Sequence, residues 1–101
     1  MPPKPLHEFR KNRLKVKHAI IKEAMPYLEE ILALPFVQLI VPDVIDNHSH
    51  GRNRMRLSSQ AVNGFNLTFG GAGAQKYHVV CEPTEDHRRA IETALARAAA
   101  N

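Results

Sequence analysis

Apolar and polar residues alternate along most of residues 47–81, and this alternation restricts the fold more than any other feature of the chain. A period of two is typical of a β-strand with one buried and one solvent-facing side. The apolar positions are Met55, Leu57, Phe65, Leu67, Phe69, Tyr77, Val79 and Cys81, and between them lie Arg52, Arg54, Arg56, Asn66, Thr68, Lys76 and His78. The pattern predicts a sheet with one apolar face and one basic, polar face.

Three strands are expected here, near residues 54–60, 64–69 and 76–81. The first two should form a hairpin, because Asn63 and Gly64 tolerate positive φ. The face assignment depends on the register, since a slip by one residue exchanges the two faces.

Two more strands are expected earlier in the chain, a short one at residues 13–17 and an apolar, β-branched one at residues 36–41. The second has the composition of a central strand, and Pro42 should bend the chain at its end. Between them an amphipathic helix is expected at about residues 18–34. Pro26 either kinks this helix or begins it, and the kink is favoured because Met25 would be a poor N-cap.

A second helix should start after Thr84, a good N-cap followed by two carboxylates. The order β-α-β-β-β-β-α predicts an α+β fold, with a mainly antiparallel sheet of four to five strands and both helices on one face. Residues 1–12 are expected to form a basic, proline-rich arm, and residues 13–101 a single domain.

The net charge of +4 is unevenly placed: residues 1–18 carry +5, residues 47–60 add +3, and the remainder sums to −4. Clustered positive charge attracts phosphate. Arginines on alternate strand positions also repel each other unless an anion compensates them. We therefore expect a non-enzymatic protein that binds a phosphate-bearing ligand; an edge strand protected by its charges is the plainer alternative.

The expected ligand is nucleic acid, or else a nucleotide held in a pocket between the subunits of a homo-oligomer. No aromatic residue lies between the arginines, which favours contacts to phosphate over base stacking. The glycine-rich loop 70–75 could offer backbone N–H groups to an anion, or could simply be a flexible hairpin loop. The candidate ligand-binding residues are Arg13, Lys15, Lys17, Arg52, Arg54, Arg56, Gly70, Gly71, Gly73, Gln75, Lys76 and His78.

A second hypothesis concerns Asp46, His48 and His50, which alternate and would point the same way in an extended segment. Imidazole and carboxylate suit a divalent metal such as Zn or Mn, so the chain could be a metal-binding protein or a small metal-dependent hydrolase. A solvated polar loop or a phosphate contact would explain the same residues. A third hypothesis is an interaction module or inhibitor that docks an acidic protein partner.

Several other classes are disfavoured. No catalytic constellation stands out, so a binding protein is expected rather than an enzyme. One cysteine cannot form an internal disulfide, no secretory signal precedes residue 14, and no apolar run approaches the length of a membrane span. These features predict a cytoplasmic protein that does not enter a membrane.

Five short segments follow one another along the chain: Leu14-Lys-Val-Lys-His18, residues 36–45, the arginine-rich strand, Gly64-Phe65 and Gly70-Gly71-Ala72-Gly73-Ala74-Gln75. Over residues 14–81 the chain resembles a prokaryotic family of unknown function labelled as predicted metal-binding. The resemblance implies a small stand-alone domain and a metal site involving His18, His48 and His50. It implies no mechanism.

Overall fold

A computed structural model describes residues 22–44, 54–70 and 75–100 of the chain. These residues form a short 3-10 helix, Lys22–Ala24, and two α-helices, α1 (Met25–Leu32) and α2 (Glu85–Ala100). The strands are β1 (Leu39–Val44), β2 (Met55–Ala61), β3 (Gly64–Phe69) and β4 (Gln75–Val80). No helix in the described part of the chain is long and apolar enough to cross a membrane.

The four strands form one sheet in the order β1-β4-β3-β2, and every neighbouring pair is antiparallel. Both α-helices pack on one face of this sheet, which we call the inner face, and they contribute to a single core with it. The expected α+β fold with a two-layer arrangement is confirmed. The strand expected at residues 13–17 lies outside the described residues.

The inner face is largely apolar because buried apolar side chains occupy alternate positions of β3 and β4. Phe65, Leu67 and Phe69 are buried on β3, and Tyr77 and Val79 are buried on β4. Burial of these side chains against the helices is the main favourable contribution to folding. The residues that lie between them face the other way and form the outer face.

The strand predicted at residues 36–41 is shifted toward the C-terminus. β1 runs from Leu39 to Val44 and, among the described strands, lies at an edge of the sheet. Pro42 therefore sits inside the strand, where an edge position tolerates the missing N–H and the register shifts between Pro42 and Val44. Phe36 instead stacks on the imidazole of His87, with ring centroids 3.8 Å apart.

The kink expected at Pro26 is also corrected. Helix α1 begins at Met25 with Ala24 as its N-cap, and Pro26 lies in its first turn. A first-turn proline needs no N–H partner, so it fits the start of a helix without breaking it. Ala24 makes no side-chain cap hydrogen bond, and the 3-10 helix leads into α1. Sequence reasoning rejected this start because it required a polar cap.

Helix α2 begins as the sequence predicts. The backbone N–H of His87 donates to the Thr84 hydroxyl oxygen at 3.1 Å, and Glu85 and Asp86 occupy the first turn. The N–H of Arg88 donates to the Thr84 carbonyl oxygen at 3.0 Å. These contacts satisfy donors that the first turn of a helix leaves without an intrahelical partner.

The β2–β3 hairpin depends on Gly64. Val62 and Asn63 connect the strands, and Ala61 pairs with Gly64 across the turn. Of the two residues expected to tolerate positive φ, only Gly64 uses it, with φ of 156°. A Cβ atom at this position would lie 1.8 Å from the carbonyl oxygen of Val79 in β4. The hairpin and β4 can approach this closely only because the residue is glycine.

We expect Gly64→Ala to lower the free energy of unfolding by about 3 kcal/mol or more, because the backbone of β4 must shift to admit the methyl group. Urea denaturation followed by circular dichroism measures the loss.

Val62→Ala provides the matched control at the same turn. The Val62 side chain is 97% exposed, so its truncation should change stability by less than about 0.5 kcal/mol. Equal losses in the two variants would contradict the close approach at Gly64.

Candidate functional site

The outer face carries two parallel rows of polar side chains across β2, β3 and β4. Arg56 pairs with Thr68, which pairs with Lys76; these three residues form the basic row. Ser59 pairs with Asn66, which pairs with His78; these three form the polar row. The strands thus bring residues from three separate segments onto one surface.

The spacing of the rows follows from sheet geometry. Arg56 and Lys76 are two strands apart, so their Cα atoms are separated by about 10 Å. The two rows are offset by two residues along β3, or about 7 Å. Beyond β4, the outward positions of β1 include Leu39 and Val41, so this side of the face is apolar. Among the described residues, the positive charge of the outer face lies on its β2–β4 part.

The cations of the outer face lack carboxylate partners. Arg54, Arg56 and Lys76 are exposed and form no ion pair within residues 22–44, 54–70 and 75–100. No Asp or Glu occurs in β2, β3 or β4. Because nothing on these strands neutralises the two long cationic side chains of the basic row, the surface is suited to an external anion.

The cations of helix α2 are different. Arg88 contacts both Glu85 and Glu92, Arg89 lies 3.6 Å from Glu85, and Arg97 lies 3.6 Å from Glu30 of α1. The hydrogen bond from Arg88 lowers the pKa of Glu85 below its ordinary value. The helical side of the domain is therefore internally compensated, whereas the outer face of β2–β4 is not.

His78 is held at the centre of the outer face by two asparagines. Its Nδ1 lies 2.8 Å from Asn66 Oδ1, and its Nε2 lies 2.9 Å from Asn63 Oδ1 at the tip of the β2–β3 hairpin. The Asn66 amide also donates to the Ser59 hydroxyl oxygen at 2.9 Å. Both ring nitrogens of His78 are therefore engaged within the protein, and the side chain links the hairpin tip to β4.

A β-bulge places Ser59 in this network. The register shifts between Leu57 and Ser59, so Ser58 is an extra residue in β2 and the strand reverses its faces beyond it. Strict alternation would have directed Ser59 into the core, where a hydroxyl without a partner is costly. The bulge turns Ser59 to the outer face, and the hydroxyl of the extra residue, Ser58, donates to the Asn66 carbonyl oxygen at 3.1 Å. Sequence reasoning missed Ser59, Asn63 and Asn66; the polar Ser58-Ser59 pair, which interrupts the apolar alternation, was the available signal.

Arg54 and Gly70 lie at the border of the outer face. The Gly70 N–H donates to the Arg54 carbonyl oxygen at 3.4 Å, so it already has a partner within the chain. Arg54 also borders a groove of about 450 Å³ with Met55 and the last turns of α2. Of the arginines that the structure describes in this region, Arg56 is the one placed within the basic row.

Gln75 lies on the inner face, not on the outer one. It is fully buried, and its Oε1 accepts a hydrogen bond of 2.6 Å from the Tyr77 hydroxyl. The pair allows two polar side chains to enter an apolar core without an unsatisfied group. Gln75 thus has a packing role that the sequence did not indicate.

The other candidate residues lie outside the described part of the chain: Arg13, Lys15, Lys17, Arg52, Gly71, Gly73, Asp46, His48 and His50. His18, implied by the family resemblance, also lies outside it. Among the residues that are described, no group of three His, Cys, Asp or Glu side chains could hold a metal ion. The metal site remains a prediction.

We expect His78 and Asn66 to be energetically coupled. A double-mutant cycle with His78→Ala and Asn66→Ala should give a coupling energy of about 0.5–2 kcal/mol, since each substitution removes one side of the same hydrogen bond. Urea denaturation of the four proteins measures it.

A control cycle pairs His78→Ala with Thr93→Ala, an exposed position on α2. Its coupling should be below about 0.5 kcal/mol because the sites share no contact. A His78–Asn66 coupling as small as the control would show that the network does not stabilise the sheet.

Stability should also fall in alkali because of Tyr77. Burial raises the pKa of Tyr77 from 10.0 to about 12. Between these values the folded chain retains a proton that the unfolded chain has lost, so the free energy of unfolding decreases as the pH rises through this range. Urea denaturation at a series of alkaline pH values measures the slope.

Tyr77→Phe should flatten this pH dependence, whereas Tyr27→Phe, which leaves Tyr77 in place, should preserve it. A slope that survives Tyr77→Phe unchanged would assign the effect to another group.

No family model, curated protein or solved structure matches this chain. The resemblance to a family labelled as predicted metal-binding therefore stays a prediction, and the physical case for a function rests on the outer face.

Proposed function

We propose that this protein is a non-enzymatic module that binds nucleic acid through the outer face of its sheet. The observation that carries the proposal is the basic row: Arg56 and Lys76 lie on strands without Asp or Glu and have no ion-pair partner among the described residues. Cations in this setting bind phosphate oxygens with charge-assisted hydrogen bonds.

The separation of the two cations supports a ligand with several phosphates. Side chains rooted about 10 Å apart, on two strands separated by β3, converge poorly on one phosphate group but reach successive charges of a polyanion. A polyanion also gains affinity from the counterions that it releases on binding. A single nucleotide, the closest variant of the proposal, would use fewer of these contacts.

The uneven charge of the whole chain is consistent with the proposal. The first 18 residues carry a balance of +5, and long-range attraction from such a segment increases the rate of association with a polyanion. Carboxylates on the helices compensate Arg88, Arg89 and Arg97. Among the described surfaces, the outer face is therefore the one where positive charge is available.

The test is the salt dependence of binding. Protein freed of nucleic acid at high salt is titrated into a labelled oligonucleotide at several salt concentrations, and fluorescence anisotropy reports the affinity. For Arg56→Gln plus Lys76→Gln, the slope of log K against log salt should shrink by about 1.8, and affinity should fall roughly tenfold to a hundredfold near 0.1 M salt.

Arg89→Gln plus Arg97→Gln is the matched control. It removes the same two charges from the net charge of +4, but from helix α2 instead of the sheet. Its affinity should stay within about threefold of the unsubstituted protein at the same salt concentration. Equal losses in the two double variants would mean that only net charge matters, and the outer face would lose its assigned role.

Two other outcomes point to the alternatives. Tight binding of a nucleotide with a shallow salt slope would indicate the nucleotide variant. Absence of any nucleic-acid affinity would contradict the proposal and leave the basic row to an acidic protein partner. The metal hypothesis at Asp46, His48 and His50 is independent of this test.

A further inference from the structure

We propose that the nucleic acid bound by the outer face is a double helix, contacted through its phosphates and not through its bases. This inference rests on the proposed function and specifies its ligand. Three features of the described residues carry it: the position of the Phe and Tyr side chains, the internal hydrogen bonds of the polar row, and the fixed spacing of the backbone positions of the two cations.

The outer face has no Phe, Tyr or Trp side chain within the described residues, and the imidazole of His78 is held by two asparagines. Phe65, Phe69 and Tyr77 are at most 1% exposed and belong to the core. Tyr27 packs against Phe69 with ring centroids 5.8 Å apart, and Phe36 stacks on His87. Proteins that hold single strands stack successive bases on aromatic rings, and this stacking supplies much of their affinity. A single strand would find no such contact here.

The side chains of His78 and Asn66 in the polar row already make hydrogen bonds within the protein. His78 uses both ring nitrogens, one with Asn66 and one with Asn63. Asn66 engages its amide oxygen with His78 and its amide nitrogen with Ser59. Base-specific readout needs side-chain donors and acceptors that are free to face the ligand. The network instead stiffens the surface beside the basic row.

We assign the two cations to phosphate contacts, and their backbone positions are fixed relative to each other. Arg56 and Lys76 are rooted on strands joined through β3 by ladder hydrogen bonds. A duplex presents phosphates at fixed separations and at about twice the linear charge density of one strand. A flexible single strand must be ordered to meet the same cations, and without stacking nothing offsets that entropy.

The experiment compares duplexes and single strands of equal length, about 20 nucleotides, as labelled DNA and RNA. Anisotropy titrations at about 0.1 M salt should give a dissociation constant for at least one duplex type that is roughly tenfold or more below that of its own single strands. A second duplex of scrambled sequence should bind within about twofold, because no base is read. The ratio between DNA and RNA duplexes identifies which helix is preferred.

Two variants connect this preference to the outer face. Arg56→Gln plus Lys76→Gln should weaken duplex binding, whereas Thr93→Ala, at an exposed position of helix α2, should leave the duplex affinity within about twofold. Circular dichroism confirms that each variant is folded.

The outcomes separate this inference from the proposed function. Single strands that bind as tightly as duplexes, or duplexes that differ by more than about tenfold with sequence, would overturn the inference while leaving nucleic-acid binding in place. No binding of any of the oligonucleotides would overturn both.

Discussion

Strand β4 is the constraint on which the rest of the structure depends, because it is hydrogen-bonded on both sides, to β1 and to β3. Its inward residues, Tyr77 and Val79, are fully buried against the helices, and its outward residues are Lys76 and His78. A one-residue slip of this strand would bury a lysine and an imidazole and expose the core, so hydrophobic burial holds the register that places both rows on the outer face. Gly64 adds a steric condition, because the hairpin reaches β4 only without a Cβ atom.

Charge is distributed differently on the two layers of the domain. On α2, carboxylates spaced three or four residues from Arg88 and Arg89 neutralise those side chains within one helix, and Arg97 reaches across to α1. On the outer face, the strands from β2 to β4 contain cations and no carboxylate. Exposed ion pairs on a helix each contribute little stability. Because they neutralise the cations of the helix, the basic row is the described surface where an anion would gain the most favourable electrostatic interaction.

The histidine of the polar row makes hydrogen bonds within the protein, and its contact with a ligand stays a prediction. His78 was a candidate to contact the ligand, whereas in the structure its ring nitrogens join Asn66 and the hairpin tip at Asn63. Gln75 is also hydrogen-bonded within the protein, on the inner face, where its Oε1 accepts a hydrogen bond from the Tyr77 hydroxyl in an otherwise apolar core. Polar side chains in the middle of this small sheet are paired with each other, and such pairs favour one register over its neighbours.

The sequence by itself determined the class of fold, the apolar face, the positions of β2, β3 and β4 to within a residue, and the N-cap at Thr84, because these depend on local periodicity and capping. The tertiary structure alone shows that β1 lies at an edge of the described strands and admits Pro42, that Ala24 is the N-cap of α1, and that a bulge at Ser58 turns Ser59 outward. It also decided that Arg56 and Lys76 share a row. These features depend on which segments pair, and pairing is set by contacts between residues far apart in the chain, which local propensity does not encode.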